Sequence, residues 1–250
     1  MENLNSLIVG PGESKEIILP DEPNHTLTRI ELLPGANVNF YIVGKNQLLK
    51  EQKIICHLHR DSQLNVFLVV VDENAKKYEV EANLDGKNAK LDVKGIVVVD
   101  KNQSCETCVT VNHHAPYCIS NQLVKYVLDG DARGSFSGLI KVDHGAKKTE
   151  AYQTNRNILI SSTARMNTEP QLEIYCDDVK CSHGAATGQL NELQLFYLRS
   201  RGIDLPQARA MLIDAFVSDI VDTIPSDNIK TAVKQLVRER LHHENLYFED

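Results

Sequence analysis

The twelve residues from Ala89 to Asp100 return, at a constant offset of 43, between Ala132 and Asp143. Ala89 falls on Ala132, Gly95 on Gly138, Val99 on Val142 and Asp100 on Asp143, and further on Asn112 falls on Asn155. A third, partial copy, Leu68-Val69-Val70-Val71-Asp72, comes earlier at a different spacing. Repetition of one supersecondary unit marks a chain whose units bury their apolar faces only against their neighbours, which is how a solenoid reads in sequence. The repeated unit is itself strand-like, rich in Val and Ile and closed by Asp.

From about residue 15 to 175 the same texture continues. KEIILP, TLTRIELLPG, NVNFYIVG, QLNVFLVVVD, YEVEANLDG, LDVKGIVVVD, CVTVNHH and EPQLEIY are β-prone runs, punctuated by Asn, Asp, Gly and Pro. This pattern admits a β-sandwich, a barrel or a β-solenoid. Apolar residues at 42% and charged residues at 24% suit a folded chain, and 250 residues suffice for a sizeable core. The net charge of -7 argues against nucleic acid as a partner, since no excess of cations exists to neutralise phosphates. No apolar run approaches a membrane span, and MENLNSLIVG does not read as an export signal. A cytoplasmic protein with free thiols is expected, so Cys56, Cys105, Cys108, Cys118, Cys176 and Cys181 are read as thiols or metal ligands.

Past residue 190 the period changes. Leu190, Leu193, Phe196 and Leu198 lie near helical spacing, with Gly202 placed for a helix stop. Asp204-Leu205-Pro206-Gln207 is a helix start with an acidic cap, and Ala208, Met211, Leu212, Ala215, Phe216, Val221 and Ile224 form the stripe that follows. A third helix carries Ile229, Val233, Leu236, Val237 and Leu241. The expected division is a β domain over 1–189, a helical domain over 190–241 and a tail over 242–250. ENLYFED in that tail stands one residue from a tag-cleavage sequence, and no function is assigned to it.

The densest chemistry is DDVKCSHG, from Asp177 to Gly184. In extended chain Cys181 and His183 project to one face, roughly 6 to 7 Å apart at the backbone, and offer two ligands to a soft metal. Two are too few for a closed site. A polar loop with a structural thiol and a Cys–His nucleophile pair remain open readings of the same residues. Cys105-Glu106-Thr107-Cys108 has zinc-like spacing with no second pair to complete it. In a strand that spacing sends its thiols to opposite faces. His113, His114 and Cys118 surround Pro116 and read as a turn. His57 and His59 alternate with Cys56 and Leu58 as one polar strand face, and Gly184 to Gly188 lacks the Lys of a phosphate loop, so no nucleotide is expected on this chain.

LDGDARGSFSGLIKVDHGAKKTEAYQTNRNILISSTARMNTEPQLEIYCDDVKCSHGAATGQL, followed by LFYLRSRGIDLPQARAMLIDAF, resembles the SufB/SufD proteins of iron–sulfur cluster assembly, and SufD more than SufB. GAKKTEAYQ, TEPQLEI, DDVKCSHGA and FYLRSRGI carry the likeness over roughly half the chain, from about Leu128 to Leu212, with a weaker match at VNHHAPYCIS. The resemblance implies a right-handed parallel β-helix with a C-terminal helical domain. It implies a scaffold subunit, not an enzyme, pairing with a SufB-like subunit or with itself and docking a SufC-type ABC ATPase. It places His183, with the thiol of Cys181, where a transient iron–sulfur cluster forms against the partner chain, and the partner would supply the missing ligands. Phe196, Arg199, Arg201 and Asp204 are the expected ATPase contacts. Two departures stand out: the longer, largely helical N-terminal region of the family does not precede the strands here, which fits a short homologue or a truncated chain, and Cys176 replaces a small residue, as an extra ligand or a buried thiol. The competing functions are a polysaccharide-acting β-helix enzyme using Asp177 and Asp178, and a stand-alone metal module built from Cys105, Cys108, His113 and Cys118.

Overall fold

The protein is described here from a computed structural model over residues 4–19, 27–44, 51–71 and 76–243. Its β part is a two-sided parallel coil in which alternate strands join opposite sheets. The odd strands β1 (Leu4–Val9), β3 (Leu27–Leu32), β5 (Glu51–Leu58), β7 (Lys76–Leu84), β9 (Ser104–His113), β11 (Arg133–Val142) and β13 (Arg165–Ile174) form one sheet in that order. The even strands β2 (Ser14–Ile18), β4 (Asn37–Gly44), β6 (Gln63–Val70), β8 (Lys90–Val99), β10 (Ile119–Leu128), β12 (Glu150–Leu159) and β14 (Lys180–Gly188) form the other. This is the parallel β-helix with three C-terminal helices that the family resemblance implied.

Alternation decides which residues face inward. In β9 and β11 every second residue is buried, and the inward rows supply Leu64, Val66, Leu91, Val93, Val109, Val111 and Phe136 to one continuous core. A parallel sheet buried on its outer face as well reads as a continuous apolar run. The FLVV of β6 and the GIVVV of β8 are such runs, covered from outside by helices.

The corner before each of the six even strands from β2 to β12 is built the same way. Gly12, Gly35, Asp61, Asn88, Tyr117 and Lys148 all have φ between 59° and 75°. The backbone N–H of each donates to a carbonyl of the next coil: Pro34, Arg60, Lys87, Pro116, Lys147 and Asp178 respectively. Glycine and Asn take this left-handed conformation readily, whereas a bulky Tyr or Lys there is unusual and is held by the cross-coil bond. These corners fix the stacking and deliver each even strand in register.

The 43-residue repeat is not the coil period. Strand partners in neighbouring coils lie 23 to 32 residues apart, so Gly95 and Gly138 sit on opposite sheets, in β8 and β11. The earlier partial copy does lie on the same sheet, in β6, but one residue out of register: it matches the run from Ile96 to Asp100, whereas Leu68, Val69 and Val70 pair with Gly95, Ile96 and Val97. Strand-like sequence recurs at each half-coil, so a self-match can bridge the two sheets.

The helices are α1 (Glu192–Ser200), α2 (Leu205–Val221) and α3 (Asp227–His243). Asp204 caps α2, its carboxylate accepting from the N–H of Gln207 at 2.8 Å, with Pro206 in the first turn. The buried face of α2 is Ala208, Ile213, Val217, Ile220 and Val221, rotated from the expected stripe, and Met211 is exposed. That face, with Ile224, Val233 and Val237, packs on Tyr41, Phe67, Val69, Ile96, Val98 and Val127 from the outer face of the even sheet. Two ionic contacts reinforce it: Lys125 with Asp219, and Arg240 with Asp100. α3 continues to His243, two residues into the segment set aside as tail, and residues 244–250 lie outside the described residues.

Candidate functional site: the open terminal coil

β13 and β14 end the two sheets, and each is hydrogen-bonded along one edge only. Their burial falls away accordingly. Where the inward residues of β11 are fully buried, those of β13 are only half-buried, and β14 is exposed at every position but Cys181. Among the described residues nothing covers the core at this end, and a row of backbone donors and acceptors is left on two adjacent edges. Such edges are ready-made pairing surfaces.

The DDVKCSHG octet leads into this coil, and the structure sorts its polar groups. Asp178 is used structurally: its carboxylate takes Lys148 Nζ at 2.9 Å and its carbonyl takes the Lys148 N–H. Lys180 reaches Glu150 at 2.8 Å. An acid pair from Asp177 and Asp178, which a polysaccharide-cleaving site would need, is thus compromised by the salt bridge of its second member. Cys181 and His183 are the groups left for chemistry. They lie on one face, as the spacing predicts, in register with Ala151 and Gln153 of β12. Among the described residues, the His183 ring has no hydrogen-bond partner, and its side chain is exposed.

Cys181 sits at the margin of a small cluster of Ile140, Val142, Ala146 and Ala151, beside Leu172, Cys176 and Val179. Burial raises its thiol pKa above the ordinary value, and nearby Cys176 adds to the rise, while a hydrogen bond from the Ala151 backbone opposes it. The free chain therefore holds Cys181 chiefly as the thiol at neutral pH, and a metal must displace that proton. Cys176 is half-buried and shares the cluster. Among the described residues, no three His, Cys, Asp or Glu side chains are gathered closely enough to hold a metal ion.

The other sequence candidates are dispersed. Cys105 faces the core and Cys108 the outside, where its thiol donates to Glu106 Oε1 at 3.2 Å. Cys118 is buried and donates to the Gly86 carbonyl at 3.3 Å. His113 is wholly buried, with Nε2 2.8 Å from Ser120 Oγ. These four are not assembled into a module. His57 and His59 pair with Asp85 and Glu31, each across one coil.

On α1 the apolar residues face outward: Leu193 is 79%, Phe196 72% and Tyr197 57% exposed, and only Leu195 is buried. Arg201 lies over the Tyr197 ring at 5.2 Å, and Arg199 stands in the last turn. Phe196, Arg199 and Arg201 thus share the short helix and its exit, next to the cap Asp204.

Residues 13–216 match the family model described as SUF system FeS cluster assembly, SufBD core domain. The chain belongs to the SufBD core family. It is 38% identical over 165 residues to the iron-sulfur cluster assembly protein SufD of Escherichia coli, covering 66% of this chain and 39% of that protein. A SufBD family protein of Synechocystis is also 38% identical, over 172 residues, covering 68% of this chain and 38% of its own. SufD of Bacillus subtilis is 33% identical over 179 residues, covering 71% and 40%. The chain thus spans about two-fifths of the length of these curated relatives. No helix among the described residues is long and apolar enough to cross a membrane.

Sequence reasoning found Cys181 and His183 from their shared parity but missed the polar rows beneath them. Gln122, Gln153, Asn155 and Asn157 face inward and are buried. The signal was their position one or two coils below the site, readable only once the coil register is known.

Proposed function

We propose that this chain is a SufD-type scaffold subunit whose open terminal coil forms half of a site for iron–sulfur cluster assembly. The observation carrying the reading is the pair Cys181 and His183 on an inward-facing row that the chain itself leaves uncovered. A thiolate and a neutral imidazole are suitable iron ligands, and a second subunit laid against β13 and β14 would supply the rest. That partner is a SufB-like subunit or a second copy of this chain. Cys176, beside Cys181, is the candidate for an additional ligand. The chain performs no turnover and binds no nucleotide of its own. The nascent cluster is its transient product, and the cytoplasm its place of work.

The helical domain, residues 190–241, is proposed as the dock for a SufC-type ABC ATPase, with Phe196, Arg199, Arg201 and Asp204 at the contact. The exposed apolar face of α1 supports this, because large exposed apolar residues clustered on one element mark interaction sites. α2 is clamped to the even sheet, whose last strand is β14, so force applied to the helices by ATP-driven closure would be delivered to the sheet that carries Cys181 and His183.

The test is co-expression with candidate SufB-type and SufC-type proteins, then anaerobic purification with iron and sulfide analysis. A ternary complex carrying iron and sulfide is expected, and His183→Ala should leave the complex intact but abolish cluster accumulation. Cluster loading by His183→Ala at the wild-type level would refute the role of His183.

A further inference from the structure

The inward column that ends at His183 changes character two coils before it. Read along the even sheet it runs Ile17, Phe40, Val66, Val93, Gln122, Gln153, His183. Four apolar residues give way to two amides and then the imidazole. Gln122 is 2% exposed and Gln153 1%. Neither the Oε1 nor the Nε2 of either side chain has a hydrogen-bond partner among the described residues.

Such groups are costly to bury, and an apolar side chain of the same shape is nearly neutral or better. The preceding coils show that apolar residues fill this column without difficulty, so packing does not require the amides. The opposite sheet also makes room for one of them. A Cβ placed on Gly138 of β11 would lie 1.8 Å from Gln153 Nε2 and 2.5 Å from its Cδ. The Gln153 side chain therefore crosses the lumen to the backbone of β11, into space that only a glycine leaves. Stacked side chains in one column are about 4.8 Å apart, within reach of a hydrogen bond bridged by one ordered water.

We propose that Gln153, supported by Gln122 beneath it, is the positioning residue for His183. One ordered water accepts from the inward ring N–H and donates to the Oε1 of Gln153. Which nitrogen of a histidine receives a metal is set by the hydrogen bond that the other one makes. Fixing the inward nitrogen as partner of the amide leaves the second nitrogen free, with its lone pair toward the uncovered edge. The inference rests on His183 being the ligand proposed above, yet the contact can be tested without any cluster or partner.

The experiment is ¹⁵N NMR of the histidine side chains in the full chain at about pH 8, where a free imidazole is neutral. The signals of His183 among the nine histidines are assigned from their loss in His183→Ala. Gln153→Met keeps length and removes the amide, and it should shift the tautomer ratio of His183 roughly fivefold, as loss of one hydrogen bond does. Reciprocally, His183→Ala, at an exposed edge position, should displace the side-chain NH₂ signals of Gln153. An unchanged tautomer ratio in a folded Gln153→Met chain overturns the proposal. Should that variant not fold, unmoved Gln153 signals in His183→Ala overturn it equally. A shift in both readouts with normal cluster assembly by Gln153→Met would uphold the contact and count instead against His183 as the working ligand.

Discussion

Lys125, its side chain 3% exposed on the outer face of β10, places its ammonium 2.7 and 2.6 Å from the two carboxylate oxygens of Asp219 in α2. The same ammonium donates to the Phe216 carbonyl at 2.6 Å and lies 4.5 Å from the Phe216 ring centre. One cation thus ties α2 to the sheet at a point otherwise apolar. Asp219→Ala leaves a buried charge with half its partners. The cost of breaking a buried pair is discounted here because half of Asp219 stands in water, which leaves about 2 kcal/mol. Thermal melts should show that loss, and amide exchange should quicken in α2 before it quickens in the β-helix. Lys125→Met, which removes the charge and keeps the stem, should be far milder. Equal loss from both variants would show that packing, not charge, makes the joint.

Acid should loosen the coil through His113. Burial, with a smaller contribution from neighbouring His114, lowers its pKa from 6.5 to about 4. Between those values the unfolded chain binds a proton that the folded chain refuses, so stability falls as pH falls through that window and is fully present above it. The difference amounts to roughly 3 kcal/mol. Urea denaturation at a series of pH values should show it, and His113→Gln should flatten the curve between 6.5 and about 4. An unchanged slope in the variant would move the acid sensitivity elsewhere.

Much of this architecture is legible in the chain because alternation survives wherever both neighbours in the stack are present. KIICHLHR and CVTVNHH read correctly as strands, with Cys56 and Leu58 inside, but His113, expected in a turn around Pro116, is the buried last residue of β9. β14 did not announce itself: CSHGAATG has no apolar alternation, since no further coil covers its inner face. β12 was obscured for a related reason, as its inward residues are Gln153, Asn155 and Asn157, whose hydrophobic signature is missing although they are buried. On α1 the apolar spacing was real but faces solvent, because a helical period shows that one face differs from the other and not which face is covered. Cys181 and His183 could be paired by parity alone, whereas Gln153 lies 30 residues upstream of His183, one coil, and no local pattern connects them.

Cys181 should be a slow nucleophile in the free chain and a faster one in alkali. Its pKa is raised above 9.0, first by burial and then by Cys176, with the Ala151 hydrogen bond offsetting part of the rise. The thiolate is the reacting species. Iodoacetamide labelling followed by peptide mass mapping should therefore be slower at Cys181 than at a free cysteine at neutral pH, and its climb should come at more alkaline pH than that of a free cysteine. Fully buried Cys56, whose thiol is pushed up to about 12, should stay unlabelled in the same samples. Pairing with a second subunit that brings a cation near Cys181 should accelerate its labelling at neutral pH. Rapid labelling of the free chain there would mean that the thiol is already activated without a partner.

Gly138 and Gln153 should behave as one unit. The Cβ of Gly138→Ala would overlap Gln153 Nε2 at 1.8 Å, so the amide must retreat across a lumen already filled. The substitution should cost about 1 to 3 kcal/mol, the usual range for overpacking a core. Gln153→Ala on its own removes two unpartnered amide atoms and opens a cavity, effects that oppose one another. In the double variant the new methyl occupies space that the missing side chain has vacated, so the penalty of Gly138→Ala should largely disappear. The coupling energy from the four melts of this cycle should be at least about 1 kcal/mol, as for residues in direct contact. Strict additivity would mean that Gln153 does not cross to β11, and the amide would then be free to lie elsewhere beneath His183.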